Sequence, residues 1–277
     1  MNLGLLAALV DDAGLFPPEQ LPMPAALARH RADEAAGHAM LSHRFLCPAS
    51  RLEELRAELD RSGGGGPLRL GVIADSGVDG VAATQAGLAS DPWLALEMVE
   101  VPAPSAEAVT AVLDALAGVG TAVFVEGPRD PGWVKQLADR GRPGGLRGAK
   151  VRCGGARAEL FPSPDELAAF VCACFEHGVP FKATAGLHGA VRHLDERTGL
   201  VHHGFVNLLV AAVRAASGAR PGEVADALAA TDGPVLAGEA RSASARAVVA
   251  ARSLFRAYGS CSTSEPREEA AALGLLA

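Results

Sequence analysis

Two short apolar segments of this chain each carry a lysine where a strand would end. They are Gly148-Ala149-Lys150-Val151-Arg152-Cys153-Gly154-Gly155 and Pro180-Phe181-Lys182-Ala183-Thr184-Ala185-Gly186-Leu187-His188. An ammonium group among apolar neighbours loses hydration, a cost offset only by a partner charge. Strand alternation puts Lys150 and Arg152 on one face, opposite Ala149 and Val151. Likewise Lys182 and Thr184 share a face opposite Phe181, Ala183 and Ala185. Two readings follow. The lysines balance interior carboxylates such as Glu126 in a structural ion network, or one of them is an amine nucleophile. In the second case low polarity and a neighbouring cation would depress its pKa and make it a Schiff-base former.

Further polar residues fall at the exits of other strand-like runs: Asp11, Asp12, Arg44, Asp75, Glu100, Glu126 and Ser260. Glu126 is the better single carboxylate for moving protons, with Asp11 beside it; one sequence leaves open which of Asp11 and Asp12 points inward. His188 follows the second lysine segment directly, where a general acid or base is expected. Arg152 and Arg44 suit an anionic group, as does Thr184. Gly154 and Gly155 precede the helix start Ser163-Pro164 and would present backbone N–H groups to an anion. His203 and Asn207, one helical turn apart at the start of a helix over 205–216, either both face the mouth as substrate-binding groups, or His203 is simply the helix's exposed first turn.

His188, His193, His202 and His203 gather with Asp195 and Glu196 in one stretch. They supply the competing chemistry, a divalent-metal-dependent hydrolase or lyase built on His188, His203 and carboxylates. No HxH or HExxH spacing supports that reading, so the primary expectation is an enzyme without a cofactor or metal. The five cysteines (47, 153, 172, 174 and 261) form no CxxC pair. They read as small buried residues in a reducing compartment, with Cys153 and Cys261 kept as thiols at strand exits.

Apolar strands alternate with amphipathic helices along the chain. Strands are expected at 5–10, 40–47, 68–74, 94–101, 121–125, 146–153, 181–185 and 255–262. Ser163-Pro164-Asp165-Glu166 is a helix start with proline at the first helical position, and Gly178 a helix end. The run Ser62-Gly63-Gly64-Gly65-Gly66-Pro67 reads as an exposed flexible loop, and a loop rich in Gly and Arg follows Asp139. Eight strands with helices between them predict a single-domain (β/α)8 TIM barrel over residues 1–277. A long loop and helical insertion at about 187–254 precede the last strand. An open doubly wound sheet is the alternative if the first or last strand is false.

The two lysine segments resemble strands six and seven of the class I, Schiff-base aldolases, the deoxyribose-phosphate aldolase type above all. Tyr258-Gly259-Ser260-Cys261-Ser262 resembles the Gly/Ser turn that binds phosphate after strand eight there. The likeness covers about twenty residues in three pieces. Arg152 and Cys153 stand where that family has small hydroxyl residues. The resemblance implies that Lys150 forms the Schiff base, that Lys182 lowers its pKa, and that Gly259 and Ser260 hold an anion.

With 49% hydrophobic and 21% charged residues, the chain is that of a globular protein with a large core. A net charge of −7, with two tryptophans and one tyrosine, excludes the basic and aromatic footprint of a nucleic-acid binder. No apolar run is long enough to cross a bilayer, and the apolar start lacks a basic region, so a cytoplasmic location is expected. The expected partner is a small-molecule substrate, with homo-oligomerisation left open. The function these residues point to is a lyase of the aldolase type acting on a small carbonyl-containing anionic metabolite. A non-catalytic barrel that binds such a metabolite is the second alternative.

Overall fold

The computed structural model describes residues 3–63, 65–140 and 145–276; Gly64 and most of the Gly/Arg loop after Asp139 lie outside them. Eight parallel strands close into a barrel: β1 (Val10–Asp12), β2 (Leu41–Pro48), β3 (Leu68–Ile73), β4 (Leu94–Pro102), β5 (Ala122–Glu126), β6 (Arg147–Arg152), β7 (Phe181–Thr184) and β10 (Phe255–Ser260). Neighbours follow chain order, and β10 seals the ring between β7 and β1. This is the expected (β/α)8 fold. Helices α1 (Met23–Ala36), α2 (Leu52–Arg61), α3 (Val81–Leu88), α4 (Ala106–Ala115), α5 (Val134–Asp139) and α6 (Pro164–Glu176) connect the first seven strands. The last helix, α11 (Glu265–Ala272), follows β10.

The outward strand faces carry the main core. Val99 and Val101, Val123 and Val125, Ala149, Phe181, Ala183 and Tyr258 are buried against the helices. Their alternate positions point inward, where Leu46, Met98 and Phe124 make a small separate apolar layer with Ala13. Helix starts are locally encoded: Ser163 and Glu166 form a reciprocal capping box on α6, and Ser105 accepts the Ala108 N–H on α4.

One end of the first strand differs from expectation. Leu3–Leu5 is a short 3-10 helix, and the strand begins at Val10, so Asp11 and Asp12 lie within β1 rather than after it. The stretch expected as a long loop holds an antiparallel hairpin, β8 (His193–Asp195) and β9 (Leu200–His202). After it come α7 (Phe205–Ala216), α8 (Pro221–Ala229), α9 (Gly233–Ser242) and α10 (Ala245–Leu254). Residues 205 to 213 of α7 are all buried. A helix apolar on every side cannot serve as a surface helix, so α8, α9 and α10 form a second layer around it.

Candidate active site in the barrel mouth

Strand alternation delivers Asp11, Ser42 and Arg44, Met98 and Glu100, Phe124 and Glu126, Lys150 and Arg152, and Lys182 and Thr184 to the barrel interior. In β4 a register shift sits opposite Leu70 and Gly71 of β3, which pair with Leu96 and Met98 and leave Glu97 as the extra residue. This bulge lets β4 offer Glu97 as well as Met98 and Glu100 to the axis.

The charges form one continuous chain. Glu97 takes Arg69 at 2.5 Å and Arg44 at 2.9 Å; Arg44 reaches Asp11 at 2.7 Å. Asp11 also accepts the Ser42 hydroxyl and pairs with Lys182. Lys182 lies 2.7 Å from Oε1 of Glu100, and Lys150 lies 2.6 Å from Oε2 of the same carboxylate. Lys150 continues to Glu126 at 2.9 Å, and Glu126 accepts from Arg152 Nε at 2.8 Å. Glu100 is therefore the hub: each lysine takes one of its oxygens.

The two lysines are not equivalent. An ammonium has three N–H donors. Those of Lys182 meet Asp11, Glu100 and the Met98 sulfur, and its side chain is 1% exposed. Lys150 has two carboxylate partners, and among the described residues nothing takes its third proton. Lys182 is thus saturated, whereas Lys150, its register partner and also buried, retains one donor.

Electrostatics agree that the resting state is ionised. Burial opposes the charge on Glu100, yet the ammonium groups of Lys150 and Lys182 bring its pKa down to about 2. Burial works against the Lys150 ammonium too, but Glu100 and then Glu126 outweigh it and hold its pKa above the usual value. Glu126 lies below the ordinary carboxylate range; burial opposes its charge, and Lys150 and Arg152 outweigh the opposition. The neighbouring lysine therefore does not leave Lys150 with a depressed pKa in this state, because a carboxylate stands between the two cations.

At the mouth the Arg152 side chain is 41% exposed; its Nε donates to Glu126, and its terminal N–H groups make no hydrogen bond among the described residues. Thr184 is partly buried beside it, paired in register with Arg152. After β7 the chain turns through Ala185 and Gly186, both left-handed, with φ 58° and 67°. Gly186 is packed so closely that a Cβ there would lie 2.3 Å from the Cys153 carbonyl oxygen. The turn brings half-buried His188 to Cys261, just beyond β10, with Nδ1 at 3.7 Å from Sγ. Burial first, then His202 and His193, push the His188 pKa down.

Other candidate residues are engaged away from this mouth. Arg44 is spent deep in the ion chain rather than on an external anion. Asp12 turns away from the barrel to bind Arg29 at 2.5 Å and His30 at 3.0 Å, which identifies Asp11 as the inward aspartate. His203 is fully buried; its Nε2–H donates to the Pro162 carbonyl at 2.7 Å and its Nδ1 accepts from Arg192 at 3.2 Å. Asn207, also fully buried, donates to the Ala227 and Ala230 carbonyls and accepts the Arg192 N–H. Both residues tie the hairpin and α8 to α7, and with its ring nitrogens occupied His203 joins no metal set with His188. Among the described residues no group of three or more His, Cys, Asp or Glu is arranged to hold a metal ion.

Gly154 and Gly155 serve close packing: a Cβ on Gly154 would lie 2.6 Å from Gly186 Cα, and one on Gly155 would strike Leu160. The α6 N-terminus beyond them is closed by its own capping box. Gly259 faces inward between Leu46, Ala13 and Thr184, while the Ser260 carbonyl accepts the Ala13 N–H. In the following turn Ser262 accepts the Glu265 N–H of α11 and Thr263 donates to Asp33, so those hydroxyls knit the barrel seam. Cys153 is fully buried, and burial pushes its thiol up to about 12. A cavity of about 160 Å³ lies off the barrel axis, lined by Val72, Ala74, Gly77, Val81, Thr84 and Val99 without any titratable side chain.

Sequence reasoning named Glu100 only as one strand-end acid and gave Cys261 no part beside His188. A lone carboxylate inside the apolar run Met98-Val99-Glu100-Val101 was the available signal, since a buried charge needs partners. Among the described residues no helix is long and apolar enough to cross a membrane. Comparison with protein-family models, with curated proteins and with solved structures found no match.

Proposed function

We propose that this barrel is a lyase of the aldolase type, acting on a small carbonyl-containing anionic metabolite through a Schiff base on Lys150. The observation that carries the reading is the asymmetry of the two lysines around Glu100: Lys182 is fully bonded, and Lys150 has one donor left over. Arg152, with its side chain partly exposed and its terminal nitrogens unbonded among the described residues, is the group suited to the substrate's carboxylate or phosphate.

The resting ammonium of Lys150 must first lose a proton, and Glu126 at 2.9 Å is its acceptor nearest the mouth. The free amine then adds to the substrate carbonyl, forming a C–N bond, and the carbinolamine loses water to give the iminium. Glu126 returns its proton to the departing water and is again a carboxylate. It then takes the proton of the hydroxyl on the departing carbon while the iminium accepts the electron pair of the breaking C–C bond. That fragment leaves as a carbonyl compound, and Glu126 gives the proton to the enamine carbon. His188 at the rim is placed to donate a hydrogen bond to a substrate oxygen there. Water then releases the product and restores the amine.

A second reading has a specific observation in its favour. Because Glu100 and Glu126 hold the Lys150 pKa up, Lys150 also suits a permanent cation that binds or polarises an anionic metabolite without covalent chemistry. Borohydride reduction in the presence of pyruvate, glycolaldehyde or dihydroxyacetone phosphate separates the two. A reduced adduct in the intact mass supports the Schiff base. Saturable binding of these probes, lost in Arg152→Ala, with no adduct at any pH up to the lysine range supports the permanent cation.

A further inference from the structure

Cys261 and His188 come from different segments, the end of β10 and the turn after β7, yet their side chains meet at the rim of the mouth. Sγ stands 3.7 Å from Nδ1. A thiol sulfur is a weak acceptor whereas an imidazole nitrogen lone pair is a good one, so the thiol hydrogen is the group to share. The imidazole Nδ1 is its natural acceptor. On the other side of the ring, Nε2 makes no hydrogen bond among the described residues, and His188 is half-buried rather than enclosed.

We propose that Cys261 is a positioning residue, whose thiol donates to His188 Nδ1 and holds the imidazole as the neutral Nε2–H tautomer. His188 then offers a hydrogen-bond donor, not a base, to an oxygen in the mouth. Resting on the aldolase reading above, that oxygen is the substrate's carbonyl oxygen, or the carbinolamine hydroxyl that leaves as water. The charged and titratable groups around the pair fit a neutral state. His202 and His193 stand over the ring from the hairpin with centroids 5.9 Å away for His202, and Asp195 is there too; Glu19 and Glu265 face the sulfur. Burial pushes the Cys261 thiol up and the His188 imidazole down, so neither member gains from transferring the proton.

The test is a two-bond proton–nitrogen correlation on the full chain labelled with nitrogen-15 histidine, recorded near neutral pH, in wild type, Cys261→Ser and Cys261→Ala. Wild type is expected to show His188 as the Nε2–H tautomer, and serine, which keeps a donor, to retain it. In Cys261→Ala the ratio of Nε2–H to Nδ1–H falls by about two- to tenfold, the equivalent of one ordinary hydrogen bond. If alanine does not fold, Cys261→Val removes the same donor at similar volume. An Nδ1–H tautomer or an imidazolium in wild type would overturn the proposal, as would an unchanged ratio without the thiol. The experiment involves no chemistry at Lys150, so its failure and the failure of the Schiff-base reading are told apart.

Discussion

Replacing Glu100 with glutamine changes one oxygen to an amide and removes the single charge that both lysines share. Lys182 keeps Asp11, and Lys150 keeps Glu126, but the new amide N–H₂ faces an ammonium that it cannot satisfy. The site is deep: the side chains of Glu100, Lys150 and Lys182 are 3%, 5% and 1% exposed. Removing one partner from such a buried pair costs about 3–5 kcal/mol. The depression of the Glu100 pKa to about 2 gives an independent figure of about 3 kcal/mol for the charge itself. For a chain of this size that corresponds to a fall in Tm of roughly 5–9 °C. Circular dichroism melts of wild type and Glu100→Gln at neutral pH measure it, with Glu126→Gln at the more exposed end as a milder comparison. A Glu100→Gln melt within about 2 °C of wild type would refute the hub role, because it would mean the ammonium groups do not depend on that charge.

Other outcomes follow from the same geometry. Glu100 has a folded pKa below its unfolded value. Its contribution is therefore present above about pH 4.3 and is lost as pH falls toward about 2, which urea midpoints across that window will follow; in Glu100→Gln that part of the acid limb should flatten. Lys182→Met should cost more stability than Lys150→Met, by roughly 1–2 kcal/mol, since Lys182 is bonded at all three protons while Glu126 retains Arg152 when Lys150 is lost. Chemical denaturation of both variants tests the order, and equal losses would contradict it. His203→Ala should release the hairpin, with about 1–3 kcal/mol lost and amide exchange accelerated at Arg192, because the Pro162 carbonyl and the Arg192 guanidinium lose their partner.

How far the sequence carried this account differs between elements. The inward faces of β6 and β7 were legible because Lys150, Arg152, Lys182 and Thr184 alternate with apolar residues, a period that only a strand satisfies. The last barrel strand was legible for its Phe255–Ser260 run between a helix and a Gly/Ser turn. The β8–β9 hairpin was not, since strands of three residues with Leu194 and Val201 exposed leave no buried pattern to read. Nor was α9, where Gly233, Pro234 and Gly238 look like breakers but the proline occupies the first turn and Asp232 caps it.

The spacing of His203 and Asn207 did not show where either points: His203 lies ahead of α7 and is buried rather than an exposed first turn. With α7 apolar all round there is no polar face to orient the helix, and tertiary packing sets it toward Arg192 and α8. The lysines illustrate the same limit at the site. Two strand positions were enough to bring their side chains together; that a carboxylate from β4 stands between them, reversing the expected pKa effect, depends on the closure of the barrel.

The central claim is that Lys150, not Lys182, is the reacting amine, and the position of a reduced adduct tests it most directly. The full chain would be treated with borohydride and each carbonyl probe at neutral pH and at about pH 9, then digested and mapped by tandem mass spectrometry. The account predicts an adduct on Lys150 alone, absent in Lys150→Met, and formed faster at the higher pH because the paired carboxylates hold the resting amine protonated. An adduct on Lys182, or none on either lysine at both pH values with every probe, would contradict it.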